Sequence, residues 1–559
     1  MSRRLVNRRI RLLLAFLVLA FAGTFARAVW LQGVQAASLS RMAASQHRET
    51  VVIPAGRGTI YDRTGVQLAI GEQDTTVYAD PRQIKDPRTV ALAAGHALGI
   101  APATLYPELA DRSHGFVYIA RKADPAKASA LAKQGISGLG FYPEEKRTYP
   151  QGTVASQVLG FAGVDNHGLA GLELQLDKTL SGSPGKETIV KDPFGRAIDV
   201  VSQTPEREGH NVFLTIDHTI QANAELILRQ TVHQWGAKSA TAIVLDPHTG
   251  AVLAMAVQPG YDANRFASVP ARMQENHAVL DVYEPGSTFK LVTVAGVLSE
   301  GLVSPSTAFT LPYSIRVADR TVHDAEKRGT ERLTVAQILS HSSNVGAVTL
   351  AEKLGKERLA SWITKFGFGS PTGIDFPGES QGIVLPVDQW SGSTIGNVPI
   401  GQGIGVTPIQ MASVYGAMAN RGIWEQPHLV DHVSGGAHPK VKRRRLVTPR
   451  VSAELKTMLE DVVSEGTGTL AAVPGYTVAG KTGTAQKPDG KGGYSSSRYV
   501  ASFVGMVPAS KPQLVILVMV DEPRGAIWGG VVAAPAFSQI AQFDMQYLEV
   551  PPDAPTTTK

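Results

Sequence analysis

The chain of 559 residues contains no cysteine. Disulfides and thiolate metal sites are excluded, which suits an extracytoplasmic protein that does without oxidative folding. Zinc is not expected, and no motif asks for a cofactor. No repeat at a solenoid period is present. Acidic residues are missing from the first eleven positions, where Arg3, Arg4, Arg8, Arg9 and Arg11 carry most of the formal net charge of +6. Without those five arginines the remainder is close to +1. The basic balance therefore marks a membrane orientation, and nucleic acid is not an expected partner. A second cluster at residues 440–445 reads as the solvated face of a hairpin. Glu465-Gly466-Thr467-Gly468 lacks the strand, helix and lysine of a phosphate loop and reads as a turn. His323-Asp324 falls in a polar loop and His341 stands alone, so none of the three is given a catalytic or ligating part.

What is present begins with an apolar segment. Residues 12–26 are apolar apart from Thr24; Arg27 interrupts them before Ala28-Val29-Trp30-Leu31. Arg27 can snorkel to the far interface, and Trp30 suits an aromatic belt. Residues 12–34 are read as a transmembrane anchor, able to cross a hydrocarbon core of ~30 Å. Residues 1–11 form a cytoplasmic tail, since arginines stay inside and the bulk is exported. The competing reading is a cleaved signal peptide, because Val34-Gln35-Ala36 resembles a small-residue cleavage site.

With 43% apolar residues the chain can bury a sizeable core in two or more domains. Residues 36–205 alternate strand-like runs (49–53, 75–78) with helical ones (87–98, 125–133), broken by many glycines and prolines. They are expected to form an elongated pedestal. Residues 206–548 are expected to form an α+β domain, with helices packed on an antiparallel sheet. Its hairpins are read at 240–245 with 251–257, joined by Asp246-Pro247-His248-Thr249-Gly250, and at 499–507 with 513–520. The tail 549–559, rich in proline and threonine, is expected to be disordered.

The most telling run is Ser287-Thr288-Phe289-Lys290, which follows the turn Glu284-Pro285-Gly286 and opens the apolar stretch 291–298. A helix starting at or near Ser287 sets Ser287 and Lys290 on one face. Burial disfavours an ammonium, so a neutral Lys290 can accept the proton of a nucleophilic Ser287. The pattern alone is weak: roughly two Ser-x-x-Lys matches are expected by chance at ordinary composition. Ser183-Pro184-Gly185-Lys186 is such a match, and its proline and glycine argue for a loop.

Company makes the difference. Ser342-Ser343-Asn344 follows a helical stretch, and Lys481-Thr482-Gly483-Thr484 opens a strand after the turn at Pro474-Gly475. Acyl transfer needs a nucleophile, a proton shuttle, an oxyanion hole and a clamp. The Ser342 hydroxyl can relay a proton, and Asn344 can orient substrate amides. Backbone N–H groups of Ser287 and Thr484 could hold an oxyanion. Lys481, Thr482 and Thr484 around Gly483 suit a terminal carboxylate.

Ser-x-x-Lys, Ser-x-Asn and Lys-Thr-Gly, in this order, are the motif set of serine β-lactamases and penicillin-binding proteins. Over most of its length the chain resembles the class B penicillin-binding proteins. Arg57-Gly58-Thr59-Ile60-Tyr61-Asp62-Arg63-Thr64-Gly65, Arg147-Thr148-Tyr149-Pro150-Gln151-Gly152 (with Ala155 and Gly160) and Gly168-Leu169-Ala170-Gly171-Leu172-Glu173 are similar to its three linker motifs. Leu180-Ser181-Gly182 and Asp192-Pro193-Phe194-Gly195-Arg196 extend the third. Leu245-Asp246-Pro247-His248-Thr249-Gly250, Gly401-Gln402-Gly403 and Gly480-Lys481-Thr482-Gly483-Thr484-Ala485-Gln486 fit the catalytic half. Thr64 stands where asparagine is usual.

The resemblance implies a penicillin-binding/β-lactamase-like transpeptidase domain on a pedestal of dimerisation-domain type. It also implies a D,D-transpeptidase that cross-links peptidoglycan stem peptides and is acylated by β-lactams. Further expectations are contacts with a polytopic glycan polymerase and division proteins, and a place in the septal branch, which the stretches 165–173 and 192–196 resemble. Three alternatives stand beside it: an elongation-type transpeptidase, a β-lactamase or D,D-carboxypeptidase using water as acceptor, and a β-lactam sensor or division scaffold. A sensor is expected to carry a cytoplasmic signalling part, and about eleven residues precede the anchor.

Overall fold

The computed structural model describes residues 3–35, 48–191, 197–436 and 438–554. Asp192-Pro193-Phe194-Gly195-Arg196 and residues 555–559 lie outside the described residues. The chain divides into two compact units, one of residues 1–56 with 182–208, the other of 57–181 with 209–559.

The first unit holds the N-terminal helix Arg3–Val29, which runs on into a π-helical turn Trp30–Val34. Asn7–Val34 is long and apolar enough to cross a membrane. The unit also holds an antiparallel sheet ordered Arg48–Ile53, Gly185–Lys191, Ala197–Thr204. Ser183 pairs its backbone with Arg207, and both Ser183 and Lys186 are exposed. The second Ser-x-x-Lys match is thus surface backbone leading into a strand.

In the second unit a six-stranded sheet joins the N-terminal motifs to the C-terminal half. Its order is Val430–Val433, Val212–Leu214, Ile60–Tyr61, Gln67–Ala79, Val117–Ala123, with Leu139–Thr148 also pairing to Gln67–Ala79. Beside this sheet the three linker motifs meet as a buried ionic knot. Glu173, fully buried, accepts from Arg57 Nε at 2.7 Å and from Arg147 Nε at 2.6 Å. Arg57 also donates to Asp177 at 2.7 Å and to Ser181 Oγ at 2.9 Å, and Arg147 donates to the Gly58 carbonyl at 2.9 Å. Each of these charges, far apart in sequence, has an oppositely charged partner here, which is the condition for burying them, although Arg147 Nη2 makes no hydrogen bond. Thr64 is accommodated because its N–H and hydroxyl both donate to Asp62 Oδ1, each at 2.8 Å. An asparagine is not required for that turn.

The C-terminal half is built on strands β1 (Ser239–Leu245), β2 (Val252–Gln258), β3 (Ala479–Pro488), β4 (Tyr494–Val507) and β5 (Leu514–Asp521), ordered β2-β1-β5-β4-β3 and antiparallel throughout. Both expected hairpins are present, and the sheet with its helices is the expected α+β architecture. Alternate residues enter two separate cores, as a two-residue period dictates. Ile243, Leu245, Val515 and Leu517 join one cluster, and Ala242, Val244, Ile516 and Val518 the other.

The helices used below are α1 (His218–Trp235), α2 (Lys290–Ser299), α3 (Val335–Ser340), α4 (Asn344–Leu354), α5 (Pro408–Ala419), α6 (Pro449–Ser464) and α7 (Ala534–Tyr547). α1 and α7 cover the second face: Ile220, Leu228, Phe537 and Ile540 lie in that cluster. α2, α5 and α6 cover the first through Val294, Met411 and Leu459. α2 is apolar all round and buried from Lys290 to Leu298, so the reactive segment is anchored in the core.

Two expectations are corrected or sharpened. Residues 549–554 of the tail are ordered. Tyr476 OH donates to the Val550 carbonyl at 2.6 Å, and Asp553 accepts from the Thr477 N–H at 2.7 Å. These partners precede β3, so composition alone misjudged a segment that tertiary hydrogen bonds hold. The basic cluster forms an edge strand, Arg443–Arg445, paired with Ile423–Glu425. Arg444 lies over the Trp424 ring at 4.7 Å, and Arg443 pairs with Glu425 at 3.2 Å.

Candidate active site

Ser287 lies in a 3₁₀ turn, Gly286–Phe289, and the α-helix proper starts at Lys290. The expected helix thus begins later than Ser287. Side chains three apart still eclipse in a 3₁₀ turn, so Ser287 and Lys290 remain on one side. Gly286 is in the left-handed region at φ +53°, and a Cβ there would come within 2.8 Å of the Thr484 carbonyl. Glycine is needed on both counts, and its bareness draws the nucleophile turn against β3. Gly483 does the same from the strand, where a Cβ would press within 2.9 Å of the Pro285 carbonyl. The turn is held from behind by the Gly286 N–H on Gly401 O (3.1 Å) and by Tyr415 OH on Thr288 O (2.9 Å).

The Ser-x-Asn segment joins α3 to α4. Thr334 and Gln337 form a capping box on α3, and the Ser343 hydroxyl caps α4 by accepting from the Gly346 N–H at 2.9 Å. Between the helices Ser342 is held at φ +59°, a strained position for a residue with a side chain. That turn points three oxygen atoms at one amine. Lys290 Nζ donates to Asn344 Oδ1 at 2.8 Å, to Ser342 Oγ at 3.2 Å and, closest, to the Ser342 carbonyl. Among the described residues, Ser287 Oγ has no hydrogen-bond partner in this resting arrangement.

Lys481, on the sheet's edge strand β3, is fully buried. Among the described residues it makes only long contacts, to Thr482 O at 3.4 Å and Thr482 Oγ1 at 3.3 Å. Thr484, half-buried, accepts from the Gly529 N–H at 3.1 Å. Burial pushes the Lys290 ammonium down to about 7, against the opposing pull of the Asp324 carboxylate. Burial also pushes Lys481 well down, and the nearby charge of Lys290 adds to it. Among the described residues no carboxylate lies within ion-pair distance of Lys481. The pocket therefore disfavours charge on both amines at once, and a carboxylate entering it would favour the charged form of Lys481.

A pH dependence follows. Lys290 can accept a proton only once its ammonium has lost one, so the acylation rate constant is expected to rise as pH increases through about 7 and then level. Stopped-flow acylation between pH 5 and 9 measures this; a flat profile would remove Lys290 as the base.

The structure thus brings Ser287, Lys290, Ser342, Asn344, Lys481, Thr482, Gly483 and Thr484 to one place. Four further residues, set aside or passed over in the sequence, touch these groups. Asp324, set aside as part of a polar loop, is buried beneath the Ser-x-Asn turn. It accepts from Ser343 Oγ at 3.1 Å, from the Val345 N–H at 3.0 Å and from Arg328 Nε at 2.9 Å. Its neighbour His323 offers a carbonyl to Asn344 Nδ2 at 3.0 Å. Glu284 ties the nucleophile turn to the Gly403 N–H (2.8 Å) and to Tyr494 OH (2.9 Å). Thr467, in the segment read as a turn, reaches Thr482. Only proximity in the fold signals these roles.

Residues 240–542 match the penicillin binding protein transpeptidase domain, and residues 52–214 match the penicillin-binding protein dimerisation domain. Penicillin-binding protein PbpB of Mycobacterium tuberculosis is 36% identical, over 93% of this chain and 82% of that protein. The peptidoglycan D,D-transpeptidase FtsI of Escherichia coli is 32% identical, over 99% of this chain and 94% of that protein. A crystal structure of penicillin binding protein 3 from M. tuberculosis, complexed with aztreonam, superposes with a TM-score of 0.71 at 32% identity. It covers 90% of this chain and 99% of that one.

Proposed function

The chain belongs to the penicillin-binding proteins of class B, and from that premise we propose that it is a serine D,D-transpeptidase cross-linking peptidoglycan. The observation that carries the reading is the hydrogen-bonded convergence of Lys290 with Ser342 and Asn344, beside a serine turn pressed against Lys481-Thr482-Gly483-Thr484.

In the donor half-reaction Lys481, Thr482 and Thr484 grip the terminal carboxylate of a stem peptide ending in D-Ala-D-Ala, and Asn344 orients its amide. Lys290, neutral, takes the hydroxyl proton as Ser287 Oγ attacks the penultimate carbonyl. The backbone N–H groups of Ser287 and Thr484 hold the oxyanion. The amide C–N bond then breaks, Ser342 passes a proton to the leaving amine, and D-alanine departs. In the second half an amine from a neighbouring strand attacks the ester, and Ser287 recovers its proton. A β-lactam enters the same path because its strained amide sits beside a carboxylate. The freed amine stays tethered to the acyl group through the rest of the opened ring, so the acyl-enzyme keeps its leaving group.

Residues 36–205 serve as pedestal and 206–548 as transpeptidase domain. The chain is a single-pass membrane protein, with the arginine-rich end in the cytoplasm and the catalytic half outside. The septum is its place of work, beside a polytopic glycan polymerase and division proteins; the similarity to FtsI and PbpB favours this over elongation. The test supplies the full-length protein with a D-Ala-D-Ala stem peptide and a D-amino acid acceptor. Release of D-alanine with formation of the exchanged peptide is expected, and a fluorescent fusion should gather at midcell. Release with water as the only acceptor would make it a carboxypeptidase, and sidewall labelling an elongation enzyme.

A further inference from the structure

Between α6 and β3 the turn Glu465-Gly466-Thr467-Gly468 is walled in by backbone. A side chain at Gly466 would strike the Ser340 carbonyl, and one at Gly530 the Thr467 carbonyl. The Gly468 N–H holds the turn to Val462 O at 2.9 Å. So fixed, the exposed Thr467 sets its Oγ1 at 2.7 Å from Oγ1 of Thr482, which is nearly buried. Lys481 Nζ approaches the same Thr482 oxygen at 3.3 Å.

A hydroxyl has one proton and two acceptor sites. If Lys481 and Thr467 both donate to Thr482 Oγ1, both sites are filled and the Thr482 proton is left for a third partner. If Thr482 instead donates to Thr467, an incoming carboxylate meets a lone pair. We propose that Thr467 is a positioning residue for carboxylate recognition: its hydroxyl donates to Thr482 and turns the Thr482 proton toward the terminal carboxylate of the substrate. This rests on the transpeptidase reading and adds a fourth side chain to the anion-gripping end of the cleft.

The test compares acylation of the full-length protein by benzylpenicillin and by its methyl ester, which lacks the anion. Thr467→Val is expected to weaken benzylpenicillin acylation roughly five- to tenfold, through the dissociation constant and not the saturated rate. The ester should be unaffected, and Thr467→Ser should restore the wild-type preference. An unchanged preference in Thr467→Val, an equal fall for acid and ester, or failure of serine to rescue would overturn the proposal. Thr467→Ala is read in the same way if the valine variant does not fold. Absence of any adduct in the wild-type protein would instead strike the nucleophile assignment, so the two failures are distinct.

Discussion

Ser287→Ala is expected to abolish covalent labelling by a fluorescent penicillin, whereas Ser183→Ala leaves labelling intact. The two serines share a local motif and nothing else. Ser183 and Lys186 are exposed to water at the start of a strand, with no pocket around them among the described residues. Ser287 lies on the same side of its turn as a buried amine depressed to about 7, with the β3 edge across from it. The rival hydroxyl is Ser342, which lies 3.2 Å from Lys290 Nζ. Ser342 sits in a strained linker between helices and is not itself on the 3₁₀ turn that faces β3, which fits the proposed part of proton relay. Ser342→Ala should therefore slow labelling while leaving the adduct on Ser287. Gel fluorescence and intact mass measure both. An adduct that survives Ser287→Ala would end the assignment.

Glu173→Ala is expected to unfold the region of the three linker motifs, at a cost of about 3–5 kcal/mol, the usual penalty for stranding a buried charge. Two guanidinium groups depend on this carboxylate, and Arg57 and Arg147 are each about 5% exposed. Without Glu173, Arg147 loses its only carboxylate partner among the described residues, while Arg57 retains Asp177. Glu173→Gln should be milder, since an amide oxygen still accepts from one of them. Thermal unfolding and limited proteolysis of residues 57–181 measure the effect. A Glu173→Ala protein as resistant as wild type would show the knot to be dispensable.

Much of this was legible before any fold was known. The hairpin at Asp246-Pro247-His248-Thr249-Gly250 follows from turn chemistry between two apolar runs. Ser287 with Lys290 follows from a three-residue spacing behind Pro-Gly. What escaped was of one kind. Asp324 meets Ser343 across 19 residues, Thr467 meets Thr482 across 15, and Glu284 meets Tyr494 across 210. Such pairs have no period and no fixed offset, so no window along the chain contains their signal. The ordered tail escaped for the same reason, because Asp553 is held by Thr477, 76 residues earlier.

The sequence by itself determined the chemical inventory: an alcohol, two lysines, an amide and a strand that can grip an anion, carried behind one apolar helix. Short-range sterics and hydrophobic periodicity write those features locally, so they survive without a fold. The tertiary structure alone decided their working state. It buried Lys290 and Lys481 enough to lower their proton affinity, set Asp324 under the Ser-x-Asn turn, and laid Thr467 against Thr482. Solvation and distance are properties of the packed chain and not of any stretch of it.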